Sequence, residues 1–167
     1  MNYELFMGEA LAEAQYALED GEPPCAAVAV VDEAMVARAR DRVRESGDPT
    51  AHAVIVAIRE AARRLGRERL ADVTIFTTIE PCAMCVGALL QANVETLVFA
   101  APDTVDGAAG GAVQLAQSPG LRRRLRVVSG IRRDEVEDLR SRALARAGSP
   151  RAETGRAPDG QGTGQQA

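Results

Sequence analysis

The stretch Pro81-Cys82-Ala83-Met84-Cys85 decides how the rest of the chain is interpreted, together with the only histidine, His52, about thirty residues upstream. Two cysteines three positions apart on the first turn of a helix can direct both sulfurs at one ion. Zinc prefers thiolate and imidazole ligands in a tetrahedral arrangement, and three protein ligands leave one position open for water. The positive end of the helix dipole also favours the thiolate form. This stretch and His52 are therefore a candidate metal site.

Other interpretations of the two cysteines start from the same spacing. A single Cys-x-x-Cys pair also occurs in redox proteins, which need no histidine, and in zinc ribbons, which need a second such pair that this sequence lacks. The chain has three cysteines, which fit metal ligands plus a spare better than a disulfide framework. For His52, the alternative is a histidine packed in the core without a metal.

Length and composition indicate one globular domain. The chain has 167 residues, 46% hydrophobic and 26% charged, which is enough to form a core of its own. No run of eighteen apolar residues and no signal-peptide pattern occurs, so we expect a cytoplasmic protein without a membrane span. The net charge of −4 argues against a broad nucleic-acid-binding surface, although net charge does not reveal a local basic patch.

Hydrophobic periodicity predicts alternating strands and helices. We predict helices over residues 2–19, from about 51 to 64, over 82–92 and over 131–147. We predict strands over residues 25–31, 35–40, 73–78, 95–100 and 125–128. Residues 41–49 and 102–120 are predicted as loops, the second with room for one short helix, and 148–167 as a disordered tail. The alternation predicts an α/β sheet with helices on both faces, in one domain over residues 1–147.

The sequence segments around the candidate site resemble those of the zinc-dependent nucleobase deaminases, whose signature is His-x-Glu followed by Pro-Cys-x-x-Cys. The matching segments are Gly21–Pro24, Asp48–His52, Glu80–Cys85, and Phe99–Asp103 with Gly107–Gly110. Within that superfamily the chain is most similar to the bacterial tRNA adenosine deaminase type, over roughly residues 3–147. The resemblance implies a cytidine-deaminase-like, three-layer α/β/α fold with a mixed central sheet of about five strands. It also implies Zn²⁺ held by His52, Cys82 and Cys85.

The sequence departs from the family at one decisive position, because Val54 stands where the family has its catalytic glutamate. That glutamate takes a proton from the attacking water and delivers protons to the ring nitrogen and to the leaving ammonia. General acid–base catalysis typically contributes about 10²–10⁴-fold per role. A valine side chain transfers no proton, and an apolar helix packed on a sheet accepts valine without cost to the fold.

The resemblance places Ala27, Asp41, Val54 and Pro81 at the pocket for the substrate. Related deaminases tend to have an asparagine where this chain has Asp41, and an acidic group there repels phosphate. Glu80 is interpreted as a structural cap at the helix start, and the alternative is a substitute for the missing proton carrier.

Two further departures make tRNA binding doubtful. Arg122 and Arg123 replace an Asn-His pair of the tRNA deaminases, and the last helix lacks the family's aromatic pair. Single-stranded RNA is usually recognised by stacking bases on aromatic side chains, whereas the aromatic residues here fit core positions. The arginine run 122–126 is interpreted as a solvated face, with phosphate contacts as the alternative.

Three functions follow from these residues. The first is a pseudo-deaminase, which binds a nucleobase or nucleoside or supports an active relative in a homodimer or heterodimer. The non-catalytic subunit of the eukaryotic heterodimeric tRNA adenosine deaminase is the family's precedent for this role. The second is an active zinc-dependent hydrolytic deaminase with a proton carrier supplied from elsewhere. The third is a zinc-stabilised interaction module without a pocket ligand.

Overall fold

The computed structural model describes residues 1–148, so the predicted tail lies outside the described residues except for Gly148. The elements in chain order are α1 (Tyr3–Glu19), β1 (Ala26–Val31), β2 (Ala34–Arg40), α2 (Val43–Ser46), α3 (Ala53–Leu65), β3 (Thr74–Ile79), α4 (Ala83–Gln91), β4 (Thr96–Ala101), β5 (Arg126–Ser129) and α5 (Arg133–Gly148). Within the described range, no helix is both long and apolar enough to cross a bilayer.

The five strands form one mixed sheet in the order β2-β1-β3-β4-β5. β1 is antiparallel to both β2 and β3, whereas β3, β4 and β5 are parallel to one another. α1 and α5 pack on one face of the sheet, and α3 and α4 pack on the other. The expected three-layer α/β/α fold with a mixed sheet is confirmed.

The central strand β1 is buried on both faces. Val28 and Val30 face the layer of α1, and Ala27 and Ala29 face the layer of α3. Side chains alternate between the two faces of a strand. The two small alanines on the α3 side therefore let α3 approach the sheet closely. The core below α1 is centred on Phe76, which is fully buried.

Two segments differ from the sequence prediction. The prediction of a plain loop over 41–49 is wrong, because the segment contains the one-turn helix α2. The Asp41 Oδ1 accepts a hydrogen bond of 3.1 Å from the Val43 N–H, and Gly47 ends the turn with φ of 67°. No residue of α2 is buried, so hydrophobic periodicity carries no signal for it. The segment 102–120 contains no helix and instead forms turns with two isolated β-bridges.

α3 begins two residues later than predicted. The Asp48 Oδ1 accepts a hydrogen bond of 2.8 Å from the Thr50 N–H, and the Ala51 carbonyl accepts one of 2.9 Å from the Arg42 N–H. The Thr50 hydroxyl also donates to the Asp48 Oδ1, at 2.7 Å, and this bond, followed by the one from the Thr50 N–H, lowers the pKa of the Asp48 carboxyl. These bonds hold residues 48–51 in a turn, so the helix starts at Ala53 and leaves His52 as the residue before it.

Candidate metal centre

The three residues of the candidate metal site come from the starts of two neighbouring helices. His52 directly precedes α3 and Cys82 directly precedes α4, and both have an extended backbone. Neither side chain caps its own helix, so the imidazole and the thiol are free to face one another. Cys85 lies one turn into α4 and presents its sulfur on the same side.

The distances between the three side chains match a tetrahedral zinc site. The His52 Nδ1 lies 3.6 Å from the Cys82 Sγ and 3.5 Å from the Cys85 Sγ. All three ligand atoms lie within 4.8 Å of one another. Nitrogen and sulfur ligands at about 2.0 and 2.3 Å from a tetrahedral zinc ion stand about 3.5 Å apart. One imidazole and two thiols are also the donors that zinc prefers, so the residues fit Zn²⁺ as the cofactor.

The local electrostatics need a cation to stabilise the thiolates. Burial, followed by the neighbouring Cys82, raises the pKa of the Cys85 thiol. A divalent cation reverses both effects, because it supplies the positive charge against which a coordinated thiol loses its proton. The amino ends of α3 and α4 point at the same place and add their partial positive charges.

A cavity of about 520 Å³ opens beside these ligands. Its wall contains Val54, which is 5% exposed and occupies the second position of α3. Asp41 and Pro81, which the resemblance places at the substrate pocket, also line it, and their role toward a substrate stays a prediction. The remaining lining residues are Pro23, Cys25, Ala26, His52, Ala53, Thr77, Thr78, Ile79, Glu80, Cys82, Cys85, Asp103 and Asp106. The cavity is therefore lined by several carboxylates, and no arginine within residues 1–148 lines it.

Glu80 holds the loop that follows β4. Its Oε1 accepts hydrogen bonds of 2.8 Å from the Ala109 and Gly111 N–H groups, and its Oε2 accepts one of 2.9 Å from the Asp103 N–H. The residue is 4% exposed. A Cβ added at Gly107 or Gly111 would collide with this carboxylate, so the loop needs glycine at both positions. The expectation that Glu80 caps the helix is wrong, because Cys82 is the residue that precedes α4 and the bonds of Glu80 go to the loop.

Two other residues differ from a simple pocket role. Ala27, which the resemblance placed at the substrate, is fully buried in the core and does not line the cavity. Cys25 does line it, but stands outside the cluster of three ligand atoms. Burial, reinforced by Asp41, raises the pKa of the Cys25 thiol to about 12, so this thiol stays protonated near neutral pH.

Sequence comparison connects the chain with known deaminases. Residues 1–101 match the cytidine and deoxycytidylate deaminase zinc-binding region. The tRNA-specific adenosine deaminase of Bacillus subtilis is 39% identical over 138 residues, which cover 83% of this chain and 86% of that protein. The chloroplastic tRNA(adenine(34)) deaminase of Arabidopsis thaliana is 48% identical over 112 residues, or 67% of this chain. That match spans only 9% of the length of the Arabidopsis protein.

Solved structures share the same architecture. A structure from work on A-to-I editing by tRNA:A34 deaminases has a TM-score of 0.77 and 39% identity, over 80% of this chain and 97% of the other. A guanine deaminase from Nitrosomonas europaea has a TM-score of 0.71 and 27% identity, over 85% of this chain and 84% of the other. With its matched family region and its His/Cys/Cys donor set, the chain belongs to the zinc-binding cytidine and deoxycytidylate deaminase family and is of the tRNA adenosine deaminase type.

Proposed function

We propose that residues 1–147 form a zinc-binding pseudo-deaminase of the tRNA adenosine deaminase type, which binds a nucleobase or nucleoside and deaminates it at most at a trace rate. The observation that carries the proposal is Val54, an apolar side chain in the cavity wall beside His52, Cys82 and Cys85. We place the protein in the cytoplasm, where thiols stay reduced and available to zinc.

The ligand residues and the missing proton carrier have separate roles. His52, Cys82 and Cys85 would hold zinc, which when bound polarises a substrate atom and makes water a better nucleophile. The second task, moving protons between water, ring nitrogen and leaving group, belongs to a nearby general acid–base residue. Val54 presents only methyl groups at that place, so the chain keeps the first part of the chemistry and lacks the second.

Three of the four carboxylates that line the cavity already accept hydrogen bonds from backbone N–H groups. Both oxygens of Glu80 accept backbone hydrogen bonds that hold the 103–111 loop. The Asp103 Oδ1 accepts hydrogen bonds from the Val105 and Asp106 N–H groups, at 2.9 and 3.1 Å. The Asp41 Oδ1 is bonded to the Val43 N–H. A proton carrier at any of these positions would first have to break contacts that shape the cavity.

An active deaminase is the second candidate. The Bacillus subtilis and Arabidopsis thaliana relatives and the A-to-I editing structure are named as tRNA deaminases, and these names fit an active enzyme at least as well as an inactive one. They also weigh against the doubt about tRNA that the substitutions at Arg122 and Arg123 raised. In this case Glu80, which also lines the cavity, or the substrate itself would carry the protons.

A partner subunit is part of the proposed role. Met84, Val105 and Val113 are apolar and exposed, by 38%, 78% and 55%. Their segments meet beside the metal centre. Cys82 and Gly107 form an isolated β-bridge, and the Val113 N–H donates a hydrogen bond to the Gly107 carbonyl. Exposed apolar side chains on adjoining segments are typical of an interface. We infer that a second deaminase-family subunit, either another copy or an active relative, covers them.

The direct test compares the wild-type protein with Val54→Glu, using mass spectrometry to follow deamination of adenosine, guanine, cytosine, their nucleosides and tRNA. Turnover by Val54→Glu alone supports the pseudo-deaminase, and the substrate that reacts names the ligand. Turnover by the wild type, abolished by His52→Ala, establishes the active enzyme instead. If no nucleobase or nucleoside shifts the melting temperature while chelation lowers it, the protein is a zinc-stabilised interaction module.

A further inference from the structure

The cavity beside the metal ligands has an excess of negative charge in its wall. Asp41, Asp103 and Asp106 line it, whereas no arginine within residues 1–148 does so and the chain contains no lysine. Glu80 lines it as well, but backbone N–H groups already bind both of its side-chain oxygens. A ligand in the cavity therefore meets three aspartates and no basic side chain.

Zinc at the metal centre would not compensate these aspartates. A Zn²⁺ ion held by two cysteine thiolates and a neutral imidazole forms a centre without net charge. The amino ends of α3 and α4 add only about half a charge each. Arg140 lines a neighbouring groove, donates to the Pro102 carbonyl at 3.1 Å, and lies 3.7 Å from the Glu137 carboxylate. The cavity therefore stays anionic with the metal in place.

Each of the three aspartates has an oxygen available to a ligand. The Asp41 Oδ1 accepts a hydrogen bond from the Val43 N–H, and the Asp103 Oδ1 accepts two, from the Val105 and Asp106 N–H groups. These bonds hold Asp41 and Asp103 in place and leave their Oδ2 atoms free within residues 1–148. The Asp106 carboxylate accepts no hydrogen bond there, and none of the three forms an ion pair. A ligand that fits this wall must bring N–H donors.

The rest of the wall is aliphatic. Val54, Ile79 and Pro81 contribute to it, and no aromatic residue of the described range does, so a flat ring gains no stacking energy here. A ring nitrogen that faces the methyl groups of Val54 keeps its lone pair without a hydrogen bond, which is unfavourable in a buried site. An N-alkylated, positively charged ring has no lone pair at that nitrogen. The volume of about 520 Å³ lies in the usual range for a small-molecule pocket.

We propose that this cavity is selective for a planar cation, namely an amino-substituted heterocycle with a positively charged ring, over the neutral base and over its phosphate ester. The inference rests on the proposed function, because it names the ligand class of the same pocket. An amidinium group carries its N–H donors and its charge in one plane, and a carboxylate binds it with charge-assisted hydrogen bonds. A phosphate group is repelled by the same aspartates. Asp41, Asp103 and Asp106 are thus specificity-determining residues.

The test measures binding to the full zinc-loaded chain by isothermal titration calorimetry. 1-Methyladenosine is positively charged near neutral pH, whereas 1-methylinosine carries the same methyl group and is neutral. We expect 1-methyladenosine to bind at least about tenfold more tightly than 1-methylinosine, the effect of about one charge-assisted hydrogen bond. Adenosine 5′-phosphate should bind more weakly than adenosine, because its phosphate approaches an anionic wall.

A matched pair of variants tests whether the aspartates cause this preference. Asp41→Asn removes one charge and keeps an oxygen that accepts the bond from the Val43 N–H. It should weaken 1-methyladenosine binding by about tenfold and strengthen the binding of adenosine 5′-phosphate. Asp72→Asn removes the same charge from an exposed aspartate that pairs with Arg67 outside the cavity, and it should change neither affinity.

Equal affinity of the wild type for 1-methyladenosine and 1-methylinosine would overturn the inference, and this comparison needs no variant to fold. An unchanged preference in Asp41→Asn, or an equal loss in Asp72→Asn, would overturn the assignment to the cavity wall. Adenosine binding and turnover by Val54→Glu are separate readouts, so the proposed function stands in each of these cases. Failure of every nucleoside to bind would remove both this inference and the ligand-binding role.

Discussion

His52 and Cys82 occupy equivalent positions in two neighbouring helices, each being the residue immediately before the first turn, and their Nδ1 and Sγ atoms lie 3.6 Å apart. This arrangement brings two positive helix ends and three soft donors to one point. It also places the residue two positions after His52, Val54, in the wall of the same cavity. The metal cluster and the position at which we propose that a proton carrier is missing are therefore adjacent but separate.

Metal content should depend on the cluster and not on the third cysteine. We expect about one zinc ion per chain in the wild type, measured by elemental mass spectrometry, and less than about a tenth of that in Cys85→Ala. A chelator should lower the melting temperature of the wild type, because metal bound to the folded state stabilises it. Cys25→Ala is the matched control and should keep its zinc. Loss of zinc from Cys25→Ala equal to that from Cys85→Ala would contradict the assigned ligand set.

Restoring a carboxylate at position 54 should restore proton transfer. Val54→Glu is expected to raise the deamination rate by at least about 10²–10⁴-fold over the wild type, the range typical of one general acid–base residue. The glutamine of Val54→Gln has nearly the same shape as the glutamate of Val54→Glu but transfers no proton to the substrate. The Val54→Gln variant should therefore react at the wild-type rate. Equal rates for the two variants in a mass-spectrometric assay would show that shape, and not proton transfer, limits the reaction.

Glu80 should matter for stability. Its side-chain oxygens accept three backbone hydrogen bonds, and the residue is only 4% exposed. Glu80→Ala leaves the Asp103, Ala109 and Gly111 donors without their acceptor, and we expect the free energy of unfolding to fall by about 3 kcal/mol in urea titrations. Glu68→Ala, at an exposed position, should change it by less than about 0.5 kcal/mol. A Glu80→Gln variant that keeps full stability yet loses measurable activity would instead assign Glu80 to proton transfer.

The exposed apolar residues beside the metal centre should control assembly. Val105→Asp/Val113→Asp places two charges in the inferred interface, where burying them without partners is unfavourable. We expect the subunit dissociation constant to rise by at least about 100-fold, measured by analytical ultracentrifugation. Leu5→Asp/Leu144→Asp alters two other exposed residues, 54% and 74% accessible, and should leave assembly unchanged. A wild-type protein that remains monomeric, alone and with an active relative, would remove the proposed partner role.

The order of helices and strands was accessible from sequence because it depends on local periodicity. Residues 26–31 are a continuous apolar run, and the structure has β1 there. α2 was missed because a one-turn helix without buried residues has no hydrophobic period. The start of α3 was misplaced because the Asp48 and Arg42 contacts that hold the preceding turn cannot be inferred from periodicity.

The sequence by itself determined the His/Cys/Cys donor set of the metal site and the apolar residue Val54 two positions after His52, because both are matters of residue type at fixed spacing. Only the tertiary structure decided the role of Glu80, whose partners lie 23 to 31 residues away along the chain. It also decided that Ala27 belongs to the core and that Arg69 and Arg123 line one groove. The physical reason is that hydrogen-bond partners and shared surfaces depend on how the strands of the sheet are ordered, which no local pattern encodes.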